Sequence, residues 1–262
     1  MTRIGLIGLG SIGQLVVEAA AELGERVEIA AALVTDSRRQ RPAGGPRCVT
    51  TLPDLLATRP DVVIECAGHA ALASHGTGVL QSGCDLVPAS MGLLADRVVL
   101  TSFRDAARVG ESRIRIPSGA VAGIDAILGA RYLGLDWVRY RFVMSPAAWQ
   151  HPVASEGSPP GRTPTEAIVF QGCAADAARR FPRHANVTAT IALAGCGLEQ
   201  TAVEFVVDST IVRNRHEIEA AGYFGKLSVT VEGQRISEAS PSSRLVAGSL
   251  LAAAISGAPT IY

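Results

Sequence analysis

Gly8-Leu9-Gly10-Ser11-Ile12-Gly13 decides the fold of this chain. The apolar run Arg3–Ile7 precedes it, and an Ala-rich amphipathic stretch, Ile12–Leu23, follows and closes at Gly24. A strand that turns through GxGxxG into a helix is the dinucleotide-binding turn, and each glycine has a mechanical reason. Gly8 permits the tight turn, Gly10 lets backbone approach a pyrophosphate, and Gly13 lets the helix press on the strand. Ser11 and Ile12 open the helix, whose amino-end amides and dipole favour phosphate. A bare GxGxxG is weak, but here a second strand, Val27–Val34, follows, and Asp36 stands just past it. Asp36 suits the ribose 2′-hydroxyl of NAD. Arg38 and Arg39 suit the 2′-phosphate of NADP, or are solvated loop charges. The cofactor implied is NAD or NADP, with NAD preferred.

Working outward, the first 116 residues alternate short apolar strands with helices. Pro53 fits the first turn of a short helix through Leu56. Asp61–Cys66 reads as a strand covered on both faces, because it is almost wholly apolar. Ala70–Gln81, Asp85–Pro88, Leu94–Val109 and Arg113–Ile116 continue the β-α-β rhythm of a parallel sheet. After Pro117 the rhythm changes. Ala120–Leu133 reads as a helix and Trp137–Val143 as a strand, and His151–Pro164 is a Pro/Gly/Ser-rich loop. Strand Ile168–Phe170, helices Ala174–Arg180 and Val187–Leu193, and strands Val203–Val207, Asn214–Ala220 and Leu227–Val231 follow. Ser243–Ile255 closes the chain as a helix able to pack back on the first half. The expected fold is α/β, a Rossmann-type doubly wound parallel sheet with a second α+β catalytic domain. Its expected division is a dinucleotide-binding domain at 1–118, completed by the C-terminal helix within 241–262, and a catalytic and dimerisation domain at 119–240.

Composition narrows the function classes. The chain has 262 residues, 48% hydrophobic and 18% charged, enough to bury a substantial core. Lys+Arg and Asp+Glu are 24 each, so no net charge draws it to nucleic acid or to an acidic membrane. No apolar run reaches the roughly 18–20 residues of a membrane span. MTRIGLIGLG lacks the basic and apolar regions of a signal peptide. Five widely spaced cysteines (Cys48, Cys66, Cys84, Cys173, Cys196) without a CxxC pair read as free thiols. A cytoplasmic protein acting on a small molecule is expected.

Among five histidines, His216 stands out in Asn214-Arg215-His216-Glu217-Ile218-Glu219. On a strand, Asn214, His216 and Ile218 share one face and Arg215 and Glu217 the other. Such a face joins a group able to move a proton near neutrality, His216, to a fixed amide, Asn214, able to orient substrate or water. A satisfied structural histidine is the competing reading. Cys66-Ala67-Gly68-His69, with His75 nearby, lacks the spacing of a closed metal site, and no metal is expected. Its place just past a parallel strand instead sets Ala67 beside a nicotinamide. His151 and His184 stand in Pro-rich sequence and are expected to be exposed.

Several motifs converge on one family. GLIGLGSIG, IECAGHAA, IPSGAVAGIDAI, HANVTATIALAGCGLEQTAVEFVVDS and NRHEIEAAGYFG run through almost the whole chain. In that order and spacing they resemble the L-aspartate dehydrogenases linked to NAD biosynthesis. The resemblance implies a Rossmann domain plus an α+β catalytic domain, assembled as a homodimer. It implies that His216 is catalytic and that Ala120 and Asn186 contact the cofactor. It further implies oxidation of L-aspartate to 2-iminosuccinate, with oxaloacetate and ammonia following on hydrolysis, and His216 as general base. Two stretches depart from the family pattern. Val143-Met144-Ser145-Pro146 lacks a basic residue, and Ser240-Pro241-Ser242-Ser243-Arg244 replaces a lysine-containing run. Two other readings stay open: a related two-domain dehydrogenase acting on another amino acid, hydroxy acid or sugar, and a non-catalytic NAD(P)-binding sensor.

Overall fold

The strand ahead of the glycine turn, β1 (Thr2–Ile7), is the centre of a sheet whose order explains the rest of its unit. In the computed structural model, which describes residues 1–36, 45–149, 165–237, 240–256 and 260–261, the chain divides into two compact units. The first comprises Met1–Gly119 and Arg244–Tyr262, the second Ala120–Ser243.

In the first unit, α1 (Ser11–Ala21), β2 (Val27–Leu33), β3 (Cys48–Val49), α2 (Leu52–Leu56) and β4 (Val62–Glu65) follow β1. Then come α3 (His69–Gln81), β5 (Asp85–Pro88), α4 (Arg97–Val109) and β6 (Ile114–Arg115). The last elements of the chain, α8 (Arg244–Ser256) and β14 (Thr260–Ile261), belong to the same unit. The strand order is β3-β2-β1-β4-β5-β6-β14, parallel through β6, with β14 added antiparallel. The order therefore reverses between β1 and β4, where doubly wound sheets open a crevice for ligands. Every residue of β4 is buried, as a strand covered on both faces must be. Helix starts follow the local chemistry. Thr51 accepts a hydrogen bond from the amide of Asp54, and Asp96 accepts from those of Val98 and Val99.

Helix α8 packs against α1 and reaches β4 and β5. Ala247, Leu250, Leu251 and Ala254 join Ile4, Leu6, Val16, Ala20 and Ile64 in one core, with alanines letting the helices approach closely. Polar contacts fix this return. Arg115 donates to the carbonyls of Ala253 (3.1 Å) and Ala254 (2.8 Å) and pairs with Asp85 at 2.8 Å. The amide of Gly119 donates to Ser249 Oγ at 2.9 Å.

The second unit contains α5 (Ile124–Arg131), β7 (Leu135–Met144), β8 (Glu166–Cys173), α6 (Ala174–Arg180), α7 (Ala185–Ala194), β9 (Ala202–Asp208), β10 (Arg215–Gly222) and β11 (Gly225–Glu232). A short antiparallel pair, β12 (Arg235–Ser237) and β13 (Ser240–Ser243), ends it. Its five-stranded sheet, β11-β10-β7-β9-β8, is mixed: only β7 and β9 run parallel. The two faces differ in chemistry. Val138, Tyr140, Phe142, Phe205, His216, Ile218 and Ala220 are buried on one. Arg141 on the other pairs with Glu166, Glu204 and Glu217, while Arg139 pairs with Glu219. The loop read at 151–164 lies outside the described residues.

Candidate active site

The glycine turn is built as its sequence demands. Gly8 has φ +98, and a Cβ placed on it would lie 2.8 Å from the Cβ of Ala67. A Cβ on Gly13 would lie 2.6 Å from the Gly8 carbonyl oxygen and 3.2 Å from Cys66 Sγ. Gly8 and Gly13 are thus required by packing of the protein on itself. Gly10 is not: a Cβ there would meet nothing within 4 Å, and its φ of −82° is open to any residue. It sits at the amino end of α1, which no side chain caps and whose first turn holds no acid. An uncapped helix end beside an open glycine is a cradle for an anionic group, so these residues fit a dinucleotide pyrophosphate.

The turn meets the loop after β4 across the point where strand order reverses. Cys66 Sγ donates to the carbonyls of Gly8 (3.3 Å) and Ile7 (3.5 Å), and burial pushes its thiol up to about 12. Glu65 organises this end of the sheet. It is fully buried and accepts from the amides of Ala67 and Gly68 (both 2.7 Å), from the amide of Ser90 (3.1 Å) and from Ser90 Oγ (3.1 Å). Desolvation raises its pKa in spite of the four bonds, each of which favours the carboxylate. One acid therefore ties the loops after β4 and β5 together. The sequence reading passed over Glu65, although a single charge in an otherwise apolar strand signals a buried acid with partners. Asp36 is exposed three residues past β2, while Arg38 and Arg39 lie outside the described residues.

In the second unit, His216 lies on the buried face of β10, 7% exposed, in register with Phe142 of β7. The two rings stack with centroids 4.4 Å apart and planes 3° apart. Tyr140, two residues along β7, places its hydroxyl 2.8 Å from His216 Nδ1. Tyr140 was also missed. Alternation along β7 puts it on the inner face, but only the pairing of β7 with β10 sets it against the histidine. Burial, and secondarily His184, lowers the His216 pKa from 6.5 to about 4, so the ring is neutral at physiological pH. Asn214, just before β10, has a buried Oδ1 with no hydrogen-bond partner among the described residues. A buried acceptor left in this state calls for a donor from elsewhere.

The expectation that His184 is exposed is overturned. Its ring packs at 5.5 Å on Phe142, 5.7 Å on Phe205 and 6.0 Å on Trp149. Pro182 opens a single 3₁₀ turn that leads directly into α7, which aims the histidine inward instead of ending the order. Through His184 and Phe142 the first turn of α7, carrying Asn186, is linked to His216. Ala120 is buried just after Gly119, whose φ is +66. His151 lies outside the described residues.

Comparison with known proteins agrees with this architecture. Residues 125–256 match the family model described as aspartate dehydrogenase, C-terminal, and residues 8–117 match the homoserine dehydrogenase NAD-binding domain. The chain is 45% identical to L-aspartate dehydrogenase 1 of Bordetella pertussis, covering 97% of this chain and 95% of that protein. It is 36% identical to the L-aspartate dehydrogenase of Ralstonia nicotianae, over 97% and 96% of the two chains. The crystal structure of an aspartate dehydrogenase from Thermotoga maritima superimposes with a TM-score of 0.77 at 23% identity, covering 100% of this chain and 99% of the other, and shares the fold. With half of the chain matched by one family model and nearly all of it aligned to these relatives, the protein belongs to the L-aspartate dehydrogenase family.

Proposed function

We propose that this protein is an NAD(P)-dependent dehydrogenase that oxidises the amino-bearing carbon of L-aspartate. The observation that carries the redox reading is the open Gly10 at the uncapped amino end of α1. The substrate reading rests on relatives named L-aspartate dehydrogenase. Gly8, Gly10, Ser11, Ile12 and Gly13 hold the pyrophosphate, Asp36 the adenosine ribose, and Ala67, Ala120 and Asn186 the nicotinamide end. Held by these residues, a nicotinamide dinucleotide would supply the acceptor for a hydride leaving the substrate Cα. NAD is preferred, because an acid at Asp36 repels a 2′-phosphate.

His216 is the catalytic residue and Asn214 its substrate-binding neighbour. Nδ1 of His216 is taken by Tyr140, so Nε2 is the ring nitrogen that meets the substrate. The unpartnered Asn214 Oδ1 accepts from the neutral substrate amine, whose lone pair forms the C=N bond of the iminium as hydride leaves Cα. The first unit serves as the dinucleotide-binding domain and the second as the catalytic and dimerisation domain of a cytoplasmic homodimer. Its imino acid product is the kind a condensing step of NAD biosynthesis consumes.

A panel of amino acids and hydroxy acids, run with NAD and with NADP and followed by absorbance of the reduced cofactor, tests the reading. Turnover of L-aspartate above all other members is expected. Turnover of another member alone transfers the protein to a different substrate, and cofactor binding without any turnover makes it a sensor.

A further inference from the structure

The tautomer of His216 can be settled by counting hydrogen bonds. Tyr140 is 1% exposed, and among the described residues its hydroxyl has one hydrogen-bond partner, His216 Nδ1. A phenol carries one proton to donate. If it donates to Nδ1, that proton is satisfied and the imidazole hydrogen stands on Nε2. If it accepts from an Nδ1–H, the phenol proton is buried with no acceptor, which disfavours that arrangement by roughly one to two orders of magnitude in population. Proton transfer from Tyr140 to the ring is no escape, because burial holds the phenol well above its ordinary pKa. Among the described residues, no acid pairs with the ring to stabilise an imidazolium. Phe142 covers one face of the ring, and Glu217 and Glu219 project to the other side of the sheet, in the ion pairs with Arg141 and Arg139.

We propose that the Tyr140 hydroxyl fixes His216 as its Nε2–H tautomer, so that the imidazole meets the substrate as a hydrogen-bond donor and not as a base. Tyr140 is then a positioning residue. The donor at Nε2 suits a carboxylate of the amino acid, and the unpartnered Asn214 Oδ1, two residues earlier in the chain, suits its amine. Two residues of one short stretch thus offer a donor and an acceptor to complementary groups of one substrate. The donor role rests on His216 being the catalytic residue, as proposed above; the tautomer does not.

Two measurements on the full-length protein test this. Nitrogen-15 spectra of histidine-labelled protein near neutral pH, assigned by loss of the signal in His216→Gln, should show a proton-bearing Nε2 and a bare Nδ1. In Tyr140→Phe, which removes only the hydroxyl, both tautomers should appear. A proton on Nδ1 in the unaltered protein overturns the proposal, whatever the kinetics. In turnover, His216→Gln, whose side-chain amide can donate but cannot act as a base, should stay within about tenfold of the unaltered enzyme, while His216→Ala loses about a hundredfold. A glutamine variant as inactive as the alanine variant overturns the donor role. Normal turnover in both removes the catalytic assignment and the donor role with it, and leaves the tautomer to be judged by the spectra.

Discussion

Gly8 and Ala67 touch across the line where the strand order of the first sheet reverses: a methyl group on Gly8 would lie 2.8 Å from the Ala67 Cβ. A methyl group on Gly10, two residues on, would meet nothing within 4 Å. The two glycines therefore separate stability from ligand binding. Gly8→Ala must both relax a φ of +98 and displace the Ala67 loop, at a cost of about 2–4 kcal/mol. Gly10→Ser should leave stability within about 0.5 kcal/mol, because serine is a good helix cap. It should weaken dinucleotide affinity at least about tenfold by filling the cradle. Urea unfolding and fluorescence titration with reduced cofactor measure the two effects, and equal loss of stability in both variants would contradict the assignment.

Glu65 offers a second separation. Glu65→Gln keeps one carbonyl oxygen but turns an amide NH₂ toward donors already present at Ala67, Gly68 or Ser90. A donor facing a buried donor should destabilise the first unit by about 1–3 kcal/mol. Because Ala67 abuts Gly8, cofactor affinity should fall as well. Unchanged melting and unchanged affinity would show that the four hydrogen bonds contribute nothing net.

The lowered pKa of His216 makes stability depend on pH. The folded value, about 4, lies below the ordinary 6.5, so on acidification the unfolded chain takes up the proton first. The contribution is complete above 6.5 and is lost as pH falls through the interval down to about 4. The gap corresponds to about 3 kcal/mol in all. His216→Gln should flatten this dependence, which denaturant midpoints at about pH 7 and about pH 4.5 would reveal. A slope in that interval identical in both proteins would assign the titration elsewhere.

Arg115 anchors the final helix to the first sheet. Its guanidinium is shared among Asp85 and the carbonyls of Ala253 and Ala254, with side chains of the ion pair only 18% and 17% exposed. Arg115→Met keeps most of the bulk but leaves the two carbonyls and Asp85 Oδ2 without their guanidinium partner, while Oδ1 still accepts from the Arg113 amide. A loss of about 2–3 kcal/mol is expected, with protease cleavage appearing first near α8. Cleavage that begins elsewhere would argue that the apolar contacts of Leu250 and Ala247 hold the helix alone.

The chemistry of the glycine turn was readable because it is local. Strand, turn and helix occupy 20 successive residues, Thr2–Ala21, and two of the demands arise within them, the φ of +98 at Gly8 and the approach of Gly13 to the Gly8 carbonyl; the contacts of these glycines with Ala67 and Cys66 do not. The parallel order was readable for a similar reason: short apolar strands joined by helices leave few other ways to bury both. The alternation of β10 put His216 and Ile218 on one face before any pairing was known; Asn214, read as part of the same strand, lies just before it. His184 misled because a proline beside it was read as a loop signal, whereas Pro182 begins a turn that feeds a helix.

By itself, then, the order of residues determined the parallel sheet of the first unit, the glycine turn and the face on which His216 stands, since each follows from local spacing and short connections. Only the tertiary structure decided what those groups touch. Tyr140 reaches His216 because β7 and β10, 71 residues apart from the end of one to the start of the other, pair with Phe142 opposite the histidine. Glu65 reaches Ser90 because β4 and β5 lie side by side. A hydrogen bond is directional and short, so which donor meets which acceptor depends on strand register, and register is a property of the folded sheet.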